Sequence, residues 1–100
     1  MVKTLVDYLK NNNFRGRNHA RLGSDICKDL NIKDTQQLRE LVNRARVQGH
    51  AVCSCADGYY YAATDDEIEQ CCRSLEYRAK SILGAASGMR FGMVLREARQ

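Results

Sequence analysis

A mainly helical α+β chain, with one small β-hairpin and a long C-terminal helix, is the architecture this 100-residue sequence predicts. Three patterns carry that expectation. Apolar residues recur at helical spacing in three short segments before residue 50. The stretch VCSCADGYYYA then alternates in a strand-like way about an Asp-Gly turn. From Ile68 onward an apolar residue returns at alternating steps of four and three.

The first helix spans residues 2 to 11, where Val2, Leu5, Val6 and Leu9 share a face and the Asn11-Asn12-Asn13 run stops it. FRGRNHARLG is irregular and basic. Ser24 is the expected cap of a second helix that runs to about Leu30, with Asp25 suited to the dipole and Ile26, Cys27 and Leu30 inward. Asn31 breaks the chain and Ile32 anchors it. Asp34 then caps a third helix, with Gln37 at the capping-box position; Leu38, Leu41, Val42 and Ala45 form its apolar stripe and Gly49 closes it.

Two short helices separated by a tight Asn-Ile turn, the second bearing amides and arginines outward, match a helix-turn-helix. Ala51, Cys53 and Cys55 alternate with Val52 and Ser54, which puts both thiols on one face of a strand, and Tyr59 to Ala63 makes the return strand. A hairpin directly after a recognition helix is a wing, and Ala20 to Leu22 is the candidate for a third short strand. The predicted fold is thus a winged helix-turn-helix domain over residues 1–63, followed by a C-terminal helix over residues 64–100.

Thr64 opens that last helix with Glu67 three residues on and acids filling the first turn. Ile68, Cys72, Leu75, Ala79, Ile82 and Ala86 form a heptad-like seam that Met89 and Met93 continue, and this predicts a homodimer paired along it. Gly84, Gly88 and Gly92 each weaken a helix by about 1 kcal/mol relative to alanine, so the helix is expected to kink or fray past Leu83.

Composition narrows the function. Residues 1–63 carry ten Lys/Arg against six Asp/Glu, and residues 64–100 carry six of each, so the first part holds the whole net charge of +4. No acid lies between Arg15 and Arg21, a segment suited to an anionic partner. MVKTLVDYLK carries charges and no long apolar run, so neither a signal peptide nor a membrane span is expected and a cytoplasmic location is. The five cysteines are expected to be free thiols or ligands rather than disulfides.

Zinc is the first rival reading. A structural site needs four ligands, usually from Cys-x2-4-Cys pairs; here the spacings are Cys53-x-Cys55 and adjacent Cys71-Cys72, and neighbouring helical residues point about 100° apart. Buried thiols are the simpler reading, and no metal or other cofactor is expected. A cysteine nucleophile would need a base, but His19 and His50 have no evident orienting carboxylate, and there is no Gly-rich phosphate loop. No catalytic residue is assigned.

Double-stranded DNA is the partner that unites the segments. Gln36 and Asn43 can make bidentate contacts to adenine, Arg39 can pair with guanine or phosphate, and Arg15, Arg17 and Arg21 can neutralise phosphates. Thr35 joins the set at the start of the third helix, and Glu40 is its awkward neighbour. At least one face of Tyr59 to Tyr61 is expected to pack against the helices, and a tyrosine left outward could bond a phosphate. A dimer of this kind is expected to bind half-sites about one helical turn apart. The alternative is a winged helix whose recognition surface contacts a protein.

From about Gly16 to Leu83, through "LRELVNRARVQG", "GYYYA" and "RSLEYRA", the chain resembles the small winged-helix proteins of phage and prophage genomes. The resemblance implies DNA binding in control of phage transcription or replication. It implies Gln36, Gln37, Arg39, Asn43 and Arg44 as recognition-helix contacts, and Asp57, Gly58 and Tyr59 as the wing tip. A phage factor that inhibits a host enzyme with the same fold is the second possibility. The double thiols and the glycine-spaced end depart from the pattern.

Overall fold

The computed structural model describes residues 1–98. Four helices and one hairpin follow in order: α1 (Val2–Asn11), α2 (Gly23–Leu30), α3 (Thr35–Val47), β1 (Val52–Cys55), β2 (Gly58–Tyr61) and α4 (Asp65–Ala98). The architecture is α+β and mainly helical, in the element order of a winged helix-turn-helix followed by a long helix. A short 3-10 turn covers Arg17–His19.

α1, α2 and α3 all stop by the same device. Asn13, Asn31 and Gly49 take positive φ of 63°, 55° and 96°, a conformation that Asn and Gly adopt most readily. The reversal lets the N–H two or three residues past each helix bond back inside it: Phe14 to the Leu9 carbonyl at 2.9 Å, Ile32 to Cys27 at 2.8 Å and His50 to Ala45 at 3.0 Å. These bonds satisfy carbonyls that a bare helix end would leave unpaired. At the start of α3 the Asp34 carboxylate accepts the Gln37 N–H at 2.9 Å, which is half of a capping box, while the Gln37 side chain stays outward.

The start of α2 differs from expectation. The helix begins at Gly23 with Leu22 at the cap position and no side-chain cap; the Leu22 carbonyl accepts the Asp25 and Ile26 N–H groups instead, and Ser24 lies exposed inside the first turn. Arg21, already paired with Tyr59, delivers the chain to the helix with the cap two residues earlier than Ser24. That pairing is also all there is of the expected third strand. Arg21 and Tyr59 exchange two backbone bonds of 2.8 and 2.9 Å as an isolated bridge, and the sheet has two strands.

The core joins Leu5, Val6 and Leu9 of α1 with Ile26 and Cys27 of α2, Ile32 of the turn, Leu38, Leu41, Val42 and Ala45 of α3, and Val52 of β1. Fully burying each large aliphatic is worth about 1.5–3 kcal/mol, so these side chains supply the main favourable term in the folding of the unit. Both faces of the hairpin are used. Val52 pairs with Tyr61, and Tyr59 and Tyr61 pack against the core; Cys53 pairs with Tyr60 on the other face, and both are buried.

The chain divides into two compact units, Met1–Glu69 and Gln70–Gln100. The first turn of α4 belongs to the first unit because Glu67 holds it there. Thr64 Oγ1 accepts the Glu67 N–H at 3.2 Å, and the Glu67 carboxylate accepts the Ala63 and Arg17 N–H groups at 2.8 Å each. Ile68, assigned to the seam, therefore falls in this unit. The second unit is helical throughout its described part, and α4 continues past Leu83 through all three glycines. Leucine, alanine, methionine and arginine around the glycines are good helix formers that offset their cost. Arg99 and Gln100, the end of the predicted helix, lie outside the described residues.

Candidate nucleic-acid interface

α3 turns its apolar stripe inward and thereby fixes what faces out. Thr35, Gln36, Gln37, Arg39, Glu40, Asn43 and Arg44 are all exposed. Among the described residues the side chains of Gln36, Arg39, Asn43 and Arg44 make no hydrogen bond or ion pair. Two amides and two guanidiniums thus stand on one helix with their donors open, whereas the guanidiniums of Arg21 and Arg46 in the same unit are engaged.

Arg46, one turn from Val42, shows the contrast. Its Nε donates to the Val52 carbonyl at 2.7 Å and its Nη2 to Ser54 Oγ at 3.3 Å, which fastens the end of α3 to β1. Arg21 is engaged more fully still. Its Nη2 donates to Asp29 at 2.9 Å, its Nη1 lies 3.7 Å from Asp25, and its guanidinium sits over the Phe14 ring at 5.5 Å. The Tyr8 hydroxyl donates to the same Asp29 oxygen. The Tyr8 hydrogen bond and then the Arg21 guanidinium hold the Asp29 carboxyl below its usual range; burial first and Asp29 second push the Tyr8 hydroxyl up. Arg21 is a clasp between α1 and α2 whose charge is already balanced.

The remaining loop arginines divide. Arg15 and Lys10 stand over the Tyr61 ring at 5.8 and 4.7 Å, with both cations at the surface. Arg17 gives its backbone N–H to Glu67 while its side chain is exposed. This basic segment lines the edge of β2 that β1 leaves open, through the Gly16 N–H to Tyr61 carbonyl bond and the Tyr61 N–H to Phe14 carbonyl bond, each 2.8 Å.

The wing is small, and its tip is Ala56–Asp57 rather than Asp57–Tyr59, because Cys55 pairs directly with Gly58. Gly58 and Tyr59 have inward tasks. A Cβ at Gly58, whose φ is +124°, would lie 2.0 Å from the Arg21 carbonyl oxygen, and the Tyr59 ring lies against Gly23. Only glycine admits the Arg21 strand so close to β2. The tip offers an acid and no cation.

Two lysines that sequence reasoning passed over belong beside the site. Lys28 and Lys33 are exposed and line a shallow depression with Ser24, Asn31, Asp34 and Thr35 at the start of α3. Their position flanking the turn, one on each side, was the available signal. The thiols are dispersed by contrast: Cys27 is buried in the core with its pKa pushed up by burial and then by Asp34, Cys53 is buried in the hairpin, and Cys72 is exposed on α4. Among the described residues no three His, Cys, Asp or Glu side chains converge as a metal site would require, and no helix is long and apolar enough to cross a membrane.

No protein-family model, no curated protein and no solved structure matches this chain. The likeness to phage-type winged-helix proteins rests on the motif residues alone.

Proposed function

We propose that this chain is a non-enzymatic, sequence-specific DNA-binding protein that lays α3 in the major groove and acts as a homodimer through α4. The observation that carries the reading is the uncommitted face of α3, where Gln36, Arg39, Asn43 and Arg44 keep their donors open. Amides and guanidiniums of this kind are what base edges and phosphates accept from. Arg15, Arg17, Lys28 and Lys33 supply phosphate contacts, while Arg21, Gly58 and Tyr59 serve the fold. By its resemblance the protein would act in control of phage transcription or replication, in the cytoplasm.

A second reading has one observation in its favour. Val47, at the end of α3, is 80% exposed, and a large apolar side chain there suits a protein surface better than a phosphate backbone. This reading makes the chain an interaction module, such as a phage inhibitor of a host enzyme.

Fluorescence anisotropy with a mixed-sequence duplex at low and moderate salt separates the two. DNA binding predicts an affinity that falls steeply with salt, since each phosphate contact releases a counterion. Arg39→Ala with Arg44→Ala should weaken binding at low salt by about tenfold or more, given about 1–3 kcal/mol for a good base contact. No binding at low salt would sink the DNA reading and leave the protein-partner one.

A further inference from the structure

The second unit is a helix without a core: no described residue of α4 is buried. A lone helix of this kind, with three glycines each costing about 1 kcal/mol, is marginal in water and gains its stability from whatever covers its apolar stripe. The pattern of that stripe is specific about the cover. With Cys72 as heptad position a, the a positions are Cys72, Ala79, Ala86 and Met93, and the d positions are Leu75, Ile82 and Met89. Small residues therefore occupy the first three a positions and large ones the d positions.

A parallel pair sets a against a and d against d. Ala79 and Ala86 would each meet themselves, leaving thin layers between full layers of Leu75 and Ile82. An antiparallel pair sets a against d, so small faces large in the central layers, where Ala79 opposes Met89 and Ala86 opposes Ile82, while Leu75 and Met93, both large, meet in the outer layer, each pair occurring twice by the two-fold symmetry. Facing small and large residues fill an interface evenly, and voids cost contacts.

Charge agrees with size. Within the span from Cys72 to Met93 the e positions are Glu76, Leu83 and Arg90, and beyond its two ends the same register would face Glu69 with Glu97, a like-charge pair. In the same antiparallel register Glu76 of each copy lies beside Arg90 of the other, and Leu83, 67% exposed in the single chain, meets its counterpart on the two-fold axis. Among the described residues neither Glu76 nor Arg90 has an ion pair within its own chain. A parallel pair would hold Glu76 and Arg90 about 21 Å apart along the axis and would place Cys71, Arg78 and Ala85 against Glu76, Leu83 and Arg90, with no opposite charges in contact. A one-heptad slide of the antiparallel pair would set Leu83 against Glu76. Phe91, Val94 and Leu95 fall outside the seam in every case.

We infer that the second unit pairs with a second copy of this chain as an antiparallel two-helix coil, with Glu76 of each copy on Arg90 of the other and Leu83 at the two-fold. The inference rests on the homodimer of the proposed function and adds its orientation and contacts.

Sedimentation equilibrium of the full chain tests it with three variants. Glu76→Arg and Arg90→Glu should each weaken the dimer by about tenfold, because two exposed pairs become repulsive at once. The double variant E76R/R90E should return to within about threefold of the natural chain. Under mild oxidation no Cys72 to Cys72 disulfide should form, since antiparallel pairing keeps those thiols about 36 Å apart. A dimer indifferent to the single swaps, a double variant as weak as the singles, or a Cys72 to Cys72 disulfide found by peptide mapping overturns the antiparallel pairing and leaves the dimer standing. A monomer at tens of micromolar overturns both, while DNA binding is read separately by anisotropy.

Discussion

Residues 1–69 and residues 70–98 spend their apolar side chains in opposite ways. In the first unit Leu5, Leu9, Ile26 and Leu38 are completely buried against one another, and each of its three complete helices ends on a residue suited to reversing the chain. In the second, Ile82, Met89 and Phe91 are exposed, and glycines recur inside the helix rather than at its end. The first unit closes its own stability account from contacts within one chain. The second has a seam with none of its described residues buried, and a two-layer architecture is what an apolar stripe requires. The lesson is that a sequence can carry the periodicity of burial with or without the partner that realises it.

The largest way to break this contrast is at the contact that closes the first unit. Gly58→Val places a side chain against the Arg21 backbone at a positive φ, and should cost about 3 kcal/mol or more. Urea unfolding followed by tyrosine fluorescence reads the loss. An unchanged midpoint would mean that the Arg21 bridge contributes nothing to the unit.

The helix stops come next. Asn31→Ala forces alanine into a left-handed conformation and should lower stability by about 1–2 kcal/mol, whereas Asn31→Gly should leave it equal or slightly raised. Thermal melts of the two variants should therefore separate. Equal melts would show that the turn between α2 and α3 relaxes.

Acid sharpens the same point through Glu67. The Ala63 N–H and then the Arg17 N–H hold the Glu67 carboxyl below its usual range, as Tyr8 and Arg21 hold Asp29. Both carboxyls bind protons more readily in the unfolded chain. Their contribution is complete above the unfolded values near pH 4 and is lost as pH falls through the lower folded values. Glu67→Gln should cost about 1 kcal/mol at neutral pH and flatten the acid side of the stability profile. A profile of unchanged slope would rule out Glu67 as the anchor of the first turn of α4.

Dilution should produce the smallest effect and the most selective one. Helical circular dichroism should fall on dilution as α4 loses the partner proposed for it, while the tyrosine fluorescence of a Tyr77→Phe variant, which leaves Tyr8 and the hairpin tyrosines as reporters, holds constant. A concentration-independent helical signal would mean that the long helix stands alone.

Much of this was legible in the residues because the deciding interactions are local. Asn13, Asn31 and Gly49 stop helices by bonds that reach back five residues, Asp34 and Thr64 cap by reaching three residues forward, and the stripe from Leu38 to Ala45 repeats within a few turns. The exposure of Gln36, Arg39 and Asn43 could likewise be read from helix phase alone. A misreading arose at Ser24, a good cap by type, because what sets the helix start there is a strand partner 38 residues away, Tyr59 against Arg21.

Determined by the sequence itself were the elements, the inward stripe of α3 and the exposed amides and arginines opposite it, since periodicity and caps act within one turn. Only the tertiary structure decided which arginines are free. Arg21 reaches Asp29 across a bend and Arg46 reaches Val52 and Ser54 across a turn, while Arg17 gives only its backbone N–H to Glu67 fifty residues on and keeps its side chain exposed. Guanidiniums look alike in a sequence. Which ones are spent on holding the chain together depends on the carbonyls and carboxylates that folding brings within about 3 Å.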